Sequence, residues 1–526
     1  MSEQSPRSER TGADVMFDAL FEGGSTICFA NPGTTELTMV SALARNGKIR
    51  SVLSLFEGVC TGAADGYARV SGKVPMTLLH LGPGFANGIA NLHNARRAGS
   101  RIINLIGDHA TWHLEYDAPL TSDIESLASP VSRQVIRMAS TGAIAADVDA
   151  AFAATCEAEG GAATLVVPTD VIDAAAVGDK AQLVAREWAG TPVDAGVISQ
   201  ARAALDGADD VIVLLGGNAL CEAGIRAGAA LAAHLGGRLL MEPYPAIVTL
   251  GGDLPAVERQ AYFPDDVIAQ MGSAKVVLAG SRMPISYFGY EGYPSQLVVE
   301  ENLVRLAGPE HDAVAALEQL CEAFDAATLP VQPAAEPALA TGDRDAALTP
   351  ALVIEELIAQ LPEDTIISLE GSTLGGPWLR NAHRARRHRV MTNTGGAIGQ
   401  GLPCAVGAAL AAPESRVVSL QSDGSAQYTL QSLWTMAREK LPVTVIMAAN
   451  HRYAILQTEL TRAEAPLDDT VIAGLTKLDN PRVDWVSLAA GYGVKAIKVT
   501  TSGELAAALS EGLALDGPLL IQAELP

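Results

Sequence analysis

The chain has 526 residues, enough for two to four domains and a large core. Apolar residues make up 48% and charged residues 18%, a globular and not a disordered composition. A net charge of −24 argues against nucleic acid and anionic membranes as partners, because both repel such a surface. Six cysteines lie far apart without a C-x-x-C pair, which argues for reduced, buried thiols in a cytoplasmic protein. The polar first ten residues carry no apolar signal segment, and no run of about 18 apolar residues occurs, so no membrane span is expected.

Patterning lapses around 179–193, and 329–350 is a Pro/Ala-rich stretch with neither helical nor strand period. Three blocks remain, 1–180 (regular from about residue 11), 194–328 and 351–526, each alternating strand and helix signals. That alternation predicts an α/β protein of three doubly wound parallel-sheet domains.

In chain order, Ile27–Ala30 reads as a strand ending in the turn Asn31-Pro32-Gly33-Thr34-Thr35-Glu36, where Thr34 could cap the next helix. Ser51–Leu55 is a strand leading into Phe56-Glu57-Gly58 and a helix of small residues, which permit close approach to a neighbour or a ligand. Glu57 taken alone is a carboxylate stabilising a helix N-terminus. Its place between apolar and small residues favours function, since an unpaired charge is costly to bury there. Thr77–Leu81 is a strand carrying His80, followed by Gly82-Pro83-Gly84 and a helix with Asn87. A histidine at a strand end is often only structural. After the strand Arg101–Ile106, Asp108, His109 and His113 stand at another carboxyl end, as acid–base groups or as surface loop residues.

The central block offers buried strands at Val211–Gly217 and Lys275–Gly280 but no G-x-G-x-x-G with a matching acid, so dinucleotide or FAD binding is unsupported. In the last block Leu369–Thr373 ends a strand with the hydroxyls of Ser372 and Thr373, and Thr394–Pro403 reads TGGAIGQGLP. Arg416–Leu420 is then a strand, Gln421–Gln427 a polar turn, a helix runs to about Lys440, and Val443–Ala449 is a buried strand. A strand–helix–strand crossover makes a parallel pair and puts Asp423 and Asn450 at one sheet edge. A carboxylate beside an amide oxygen suits Mg2+. Gly424 and Ser425 opening the crossover helix would favour an anion at the same place. An Asp cap and an Asn turn are the plainer alternative.

The spacing of Asp423-Gly424 and Asn450, with the words SDGSAQYTLQSLWTMA and AANHRYAIL, resembles the metal–diphosphate motif of thiamine-diphosphate enzymes. LFEGVCTGAADGYAR resembles the segment that carries that superfamily's activating glutamate. The benzoylformate decarboxylase and acetolactate synthase branch is the nearest likeness, strong in the first and last blocks. The resemblance implies a first domain that binds the aminopyrimidine, a structural central domain, and a third domain that binds diphosphate and Mg2+. It implies Asp423, Asn450 and the Arg452 carbonyl as metal ligands. Ser372, Thr373, Ser422, Gly424 and Ser425 fall at the diphosphate, with Ser422 replacing the family's usual glycine.

Glu57 corresponds to the group that bonds the aminopyrimidine ring nitrogen, which calls for a raised pKa in a dry pocket. The resemblance implies that the Gly396 carbonyl accepts from the ring amine and that Ile398 is the apolar wedge that bends the cofactor. His80 matches a decarboxylase proton-transfer group, Thr34 a hydroxyl that holds substrate carboxylate, and His109 and His113 a histidine pair of pyruvate-decarboxylase-like enzymes. The likeness therefore implies decarboxylation of a small 2-oxo acid by a homodimer or tetramer, with Glu57 and the diphosphate site of one centre on different subunits.

Some features depart from the pattern. Gly82-Pro83-Gly84 matches acetolactate synthases, yet the tryptophan-bearing acceptor signature of those enzymes is missing. Ser281–Gly292, where decarboxylases offer a second histidine, holds Ser286, Tyr287 and Phe288 instead. A carboligase, a 2-hydroxyacyl-CoA lyase-like enzyme and a non-catalytic cofactor-binding partner are the alternatives.

Overall fold

The computed structural model describes residues 10–177, 183–329 and 342–526; the lapses noted in the sequence at 179–182 and 330–341 lie outside them. Of the described residues, those within 1–188 and 395–411 form one compact unit and those within 189–394 and 412–526 form another.

The first unit is built on β1 (Ile27–Asn31), β2 (Arg50–Leu53), β3 (Met76–Leu79), β4 (Ile102–Asp108), β5 (Gln134–Arg137) and β6 (Ala162–Pro168). They pair in the order β2-β1-β3-β4-β6-β5, and every pair is parallel. Strands β3, β4 and β6 are buried at every residue, as a sheet covered on both faces requires. The helix Glu57–Ser71 leaves β2, and Leu81–Ala98 leaves β3. The small residues of the first of these meet the helix Gly401–Ala411: a Cβ at Gly407 would lie 2.0 Å from the Ala63 carbonyl, and one at Gly66 2.3 Å from that of Cys404. The neighbour that the small residues accommodate is another helix backbone.

The second unit carries two sheets. One contains β7 (Val211–Leu215), β8 (Arg238–Met241), β10 (Glu258–Arg259), β11 (Lys275–Ala279) and β12 (Leu303–Ala307), in the order β10-β8-β7-β11-β12. The other contains β13 (Thr365–Leu369), β14 (His388–Met391), β15 (Val417–Ser422), β16 (Val443–Ala449), β17 (Lys495–Val499) and β18 (Leu519–Glu524). Its order is β17-β18-β16-β15-β13-β14-β9, where β9 is Val248–Leu250, a short strand from the central block running antiparallel to β14. The molecule is thus α/β with doubly wound parallel sheets, one of them edged by an antiparallel strand.

Several local boundaries differ from the sequence reading. The strand expected over Thr77–Leu81 stops at Leu79, because Leu81 takes a left-handed φ of +52° and opens the next helix. Gly82, Pro83 and Gly84 are therefore its first turn, not a linker ahead of it. The crossover after β15 is a single turn, Asp423–Ala426, followed by a separate helix, Ser432–Glu439. One turn aligns few peptide dipoles, so the helix-dipole argument at Gly424 and Ser425 is weaker than the continuous helix suggested. Strand β16 begins and ends where its apolar run does.

Candidate functional site

Two groups of the expected residues form, one in each unit, both at carboxyl edges of parallel sheets, where open α/β folds bind ligands.

In the first unit, β2 delivers Glu57 to the first position of its helix, where the side chain is 8% exposed. Asn87 Nδ2 donates to Glu57 Oε2 at 3.0 Å. Gly84 leaves the space for this carboxyl group: a Cβ there would lie 2.9 Å from Glu57 Oε1 and 3.3 Å from His80 Cβ. Glu57, His80 and Asn87 are thereby gathered at the ends of β2 and β3.

His80 is the residue before its helix, and Nδ1 lies 2.8 Å from Oε2 of Glu36, a carboxylate with no solvent exposure. Glu36 Oε2 also accepts from the Gly33 N–H at 2.9 Å, and Oε1 from the Thr35 hydroxyl at 2.8 Å. Gly107 on β4 makes room for it, since a Cβ there would stand 1.9 Å from Oε1. A carboxylate only accepts, so His80 carries its hydrogen on Nδ1 when the ring is neutral and keeps Nε2 as acceptor. Glu36 is a candidate site residue that the sequence reading missed. The signal was present, as an acid in the turn Asn31–Glu36, but its partner lies 44 positions away. Thr34 is exposed and is the first residue of the turn Thr34–Glu36, whose cap is Gly33, so the capping alternative for Thr34 does not hold.

His109 and His113 pack ring to ring, with centroids 5.7 Å apart, and His113 also meets Trp112 and Tyr116. Asp108 is buried and held by Arg137 at 2.6 Å and by the His109 N–H at 2.8 Å, so it faces a salt bridge and not a ligand. The glycine-rich segment with Gly396 and Ile398 belongs to this unit. Asn94 brackets Ala397 through both backbone groups, at 2.7 and 3.1 Å, and His93 Nε2 lies 3.1 Å from the Gly395 carbonyl oxygen. Gly396 takes a φ of +78°, in the left-handed region glycine favours, and Ile398 is 37% exposed.

In the second unit the neighbouring strands β13, β15 and β16 bring Ser372, Thr373, Ser422, Asp423 and Asn450 to one edge. Asn450 Nδ2 donates to the Thr373 hydroxyl at 2.9 Å, while its Oδ1 accepts from the Arg452 N–H at 3.2 Å. Asp423 Oδ2 accepts from the His451 N–H at 2.7 Å, and its Oδ1 is buried without a partner. Burial pushes the Asp423 carboxyl above its usual range, opposed by the His451 N–H. Ser422 packs its hydroxyl against Gly371, whose φ is +93°. Ser425 turns its hydroxyl back to Gln421 and the Ser422 carbonyl, which leaves backbone groups to face a ligand. Among the described residues no three His, Cys, Asp or Glu side chains cluster to hold a metal. Asp423 and Asn450 bring one carboxylate and one amide oxygen to this edge. An orphaned, buried carboxylate oxygen in such an all-oxygen set fits a hard cation that retains water and phosphate ligands.

Where a second histidine was sought, Ser286 bonds the Pro294 carbonyl oxygen, and Tyr287 stacks with Tyr244, Tyr262 and Phe288, at centroid distances of 5.7, 5.2 and 4.9 Å. Tyr453 lies over Gly424, where a Cβ would meet its ring at 2.5 Å. No helix among the described residues is long and apolar enough to cross a membrane.

Residues 10–127 match the family model for the thiamine pyrophosphate enzyme N-terminal TPP binding domain, and residues 376–523 that for the C-terminal TPP binding domain. A Mycobacterium tuberculosis protein named "Putative acetolactate synthase large subunit IlvX" is 43% identical over 98% of this chain and 99% of its own length. Benzoylformate decarboxylase of Pseudomonas aeruginosa is 27% identical over 98% of each chain. The solved thiamine diphosphate-dependent 4-hydroxybenzoylformate decarboxylase of Rhodococcus jostii superposes with a TM-score of 0.85, covering 98% of this chain and 99% of that one; at 24% identity it speaks for the fold alone.

Proposed function

The chain belongs to the thiamine-diphosphate-dependent enzyme superfamily, in its decarboxylase and acetolactate synthase family, and we propose that it acts there as a Mg2+-dependent enzyme that removes CO2 from a small 2-oxo acid. The observation that carries this reading is Glu57, a nearly buried carboxyl group at a helix start with an amide donor on one oxygen and space kept open by Gly84.

Bound thiamine diphosphate supplies an electron sink beside the substrate carbonyl. Asp423 Oδ1, Asn450 Oδ1 and the Arg452 carbonyl would hold Mg2+, and the Ser372 and Thr373 hydroxyls with the Gly424 N–H would hold the diphosphate. Glu57 would meet the aminopyrimidine ring nitrogen through its carboxyl group and relay a proton there. Asn87 fixes the rotation of that carboxyl group. His80, held by Glu36, presents Nε2 as a proton acceptor or, once protonated, as a donor to the product carbon. Thr34 would offer its hydroxyl to the substrate carboxylate, and Gly396 and Ile398 would line the aminopyrimidine end of the cofactor. The smallest active assembly is a homodimer.

Carboligation is the second reading, favoured by Gly82-Pro83-Gly84 and by the name of the 43% identical relative. The experiment is CO2 release from a panel of 2-oxo acids, wild type beside Glu57→Gln, with the organic products separated. Release that needs both thiamine diphosphate and Mg2+ and collapses in the variant supports the mechanism. An aldehyde product then means protonation, and a 2-hydroxy ketone or 2-hydroxy-2-alkyl-3-oxo acid means capture by a second carbonyl compound. Cofactor binding without CO2 release from any acid discards decarboxylation and moves the lyase-like and non-catalytic alternatives ahead.

A further inference from the structure

The loop that follows β16 contains an irregularity that the proposed chemistry does not use. His451, directly after Asn450, takes a left-handed φ of +54°. This is uncommon for a residue with a side chain and costs energy unless its surroundings hold it. The conformation has one visible result, which is that the His451 N–H reaches Asp423 Oδ2 at 2.7 Å.

The side chain of the same residue is anchored. His451 Nε2 lies 3.0 Å from Glu524 Oε2, and because a carboxylate accepts only, Nε2 is the donor. Glu524 is itself fixed. Its other oxygen accepts from Gln522 Nε2 at 2.7 Å and faces Lys498 Nζ at 3.0 Å. It is the last residue of β18, in register with Ala449 of β16, and the ladder runs on through the Leu525 N–H to the Ala449 carbonyl oxygen at 3.1 Å. The His451 and Glu524 side chains are only 10% and 17% exposed, so water screens their bond little. On the other side of the loop, the Leu478 N–H donates to the His451 carbonyl oxygen at 2.7 Å.

We propose that Glu524 and His451 are positioning residues for the cation: Glu524 tethers the His451 ring, the tether keeps residue 451 left-handed, and its N–H then locks Asp423 by one oxygen. The other oxygen, Oδ1, is buried and unpartnered and is thereby presented to the metal. The inference rests on the reading of Asp423 as a ligand of Mg2+. Residues that orient a metal ligand without touching the ion commonly change affinity about tenfold or more when removed.

The test is calorimetric titration of thiamine diphosphate into the full-length protein across a series of Mg2+ concentrations, with the melting temperature of the metal-free protein recorded beside it. His451→Ala and Glu524→Gln are expected to raise the half-saturating Mg2+ about tenfold and a few-fold respectively. Their double variant should be no worse than His451→Ala, because one tether is lost in either case. Lys498→Met, which relieves Glu524 of a different partner, should stay within about twofold of wild type. His451→Gly separates conformation from tether: glycine reaches positive φ freely, yet nothing holds it there. Wild-type Mg2+ dependence in His451→Gly overturns the proposal. So do unchanged half-saturation in both single variants, or losses that add up in the double variant and follow the melting temperature. If wild-type cofactor binding needs no divalent cation, the reading of Asp423 itself falls, a result distinct from all of these.

Discussion

Glu36, fully buried, and His80, a quarter exposed, form an acid–imidazole pair whose consequence is chemical. The carboxylate determines which ring nitrogen carries the hydrogen and leaves Nε2 for proton traffic. Replacing the acid by its amide, Glu36→Gln, keeps the shape but lets either tautomer form. The expected result is a fall in kcat of about 10- to 100-fold with the melting temperature nearly unchanged, read from steady-state kinetics and calorimetry. On the role proposed for Glu57, Glu57→Gln should cost more, about 100-fold or beyond in kcat/KM, because an amide could not relay a proton to the cofactor ring.

His388 offers a prediction of a different kind. It is 1% exposed, its Nδ1 donates to the Arg386 carbonyl oxygen at 2.7 Å, and burial pulls its pKa down from 6.5 to about 4. The unfolded chain therefore binds a proton between those values that the folded chain refuses. The stability due to the neutral ring is complete above pH 6.5 and is lost as pH falls toward 4, by at most about 3 kcal/mol. Denaturant unfolding from pH 7 to 4 should show a shallower loss in His388→Asn, which keeps a donor and cannot be protonated. Among single residues, Glu57 was legible because a charge among apolar and small neighbours demands a reason. Glu36 and His451 were not, since one depends on a contact 44 positions away and the other on a backbone angle.

Between elements, the glycines of the helices Glu57–Ser71 and Gly401–Ala411 decide how near the two backbones come. Gly407→Val would drive methyl groups into the Ala63 carbonyl, where even a Cβ stands at 2.0 Å. A loss of about 1–3 kcal/mol in unfolding free energy is expected. Glycine-rich segments with Gly396 and Ile398 would be displaced with the helix, so cofactor affinity should weaken as well. The parallel strands were readable from their apolar runs: β16 coincides with Val443–Ala449 residue for residue. Errors gathered at strand ends and helix starts. There Leu81 with its positive φ and the single turn at Asp423–Ala426 depend on tertiary contacts that hydrophobic period does not encode.

For the whole molecule, three sheets were foreseeable from three runs of alternating strand and helix signals. A subunit test follows from the proposed homodimer. Glu57→Gln and Asp423→Ala proteins, each inactive alone, should recover up to about a quarter of wild-type activity when mixed and allowed to exchange subunits. That fraction follows because half the dimers would be mixed and one of their two centres would have neither change. No recovery on demonstrated exchange would mean that both residues of a centre come from one chain.

The strand β9 lay beyond sequence reading: Val-Thr-Leu is too short for any periodic signal, and it pairs with a strand far along the chain, Val248 opposite Val390. Its effect reaches past hydrogen bonding. Because residues 248–250 finish a sheet made otherwise from residues after 364, the central block is stitched to its successor and is no freely exchangeable cassette. A chimera that imports a foreign central block must import a matching edge strand with it, or else expose the flank of β14, an open invitation to association with other chains. Recombination in this protein is therefore constrained by three residues that sit far from any chemistry.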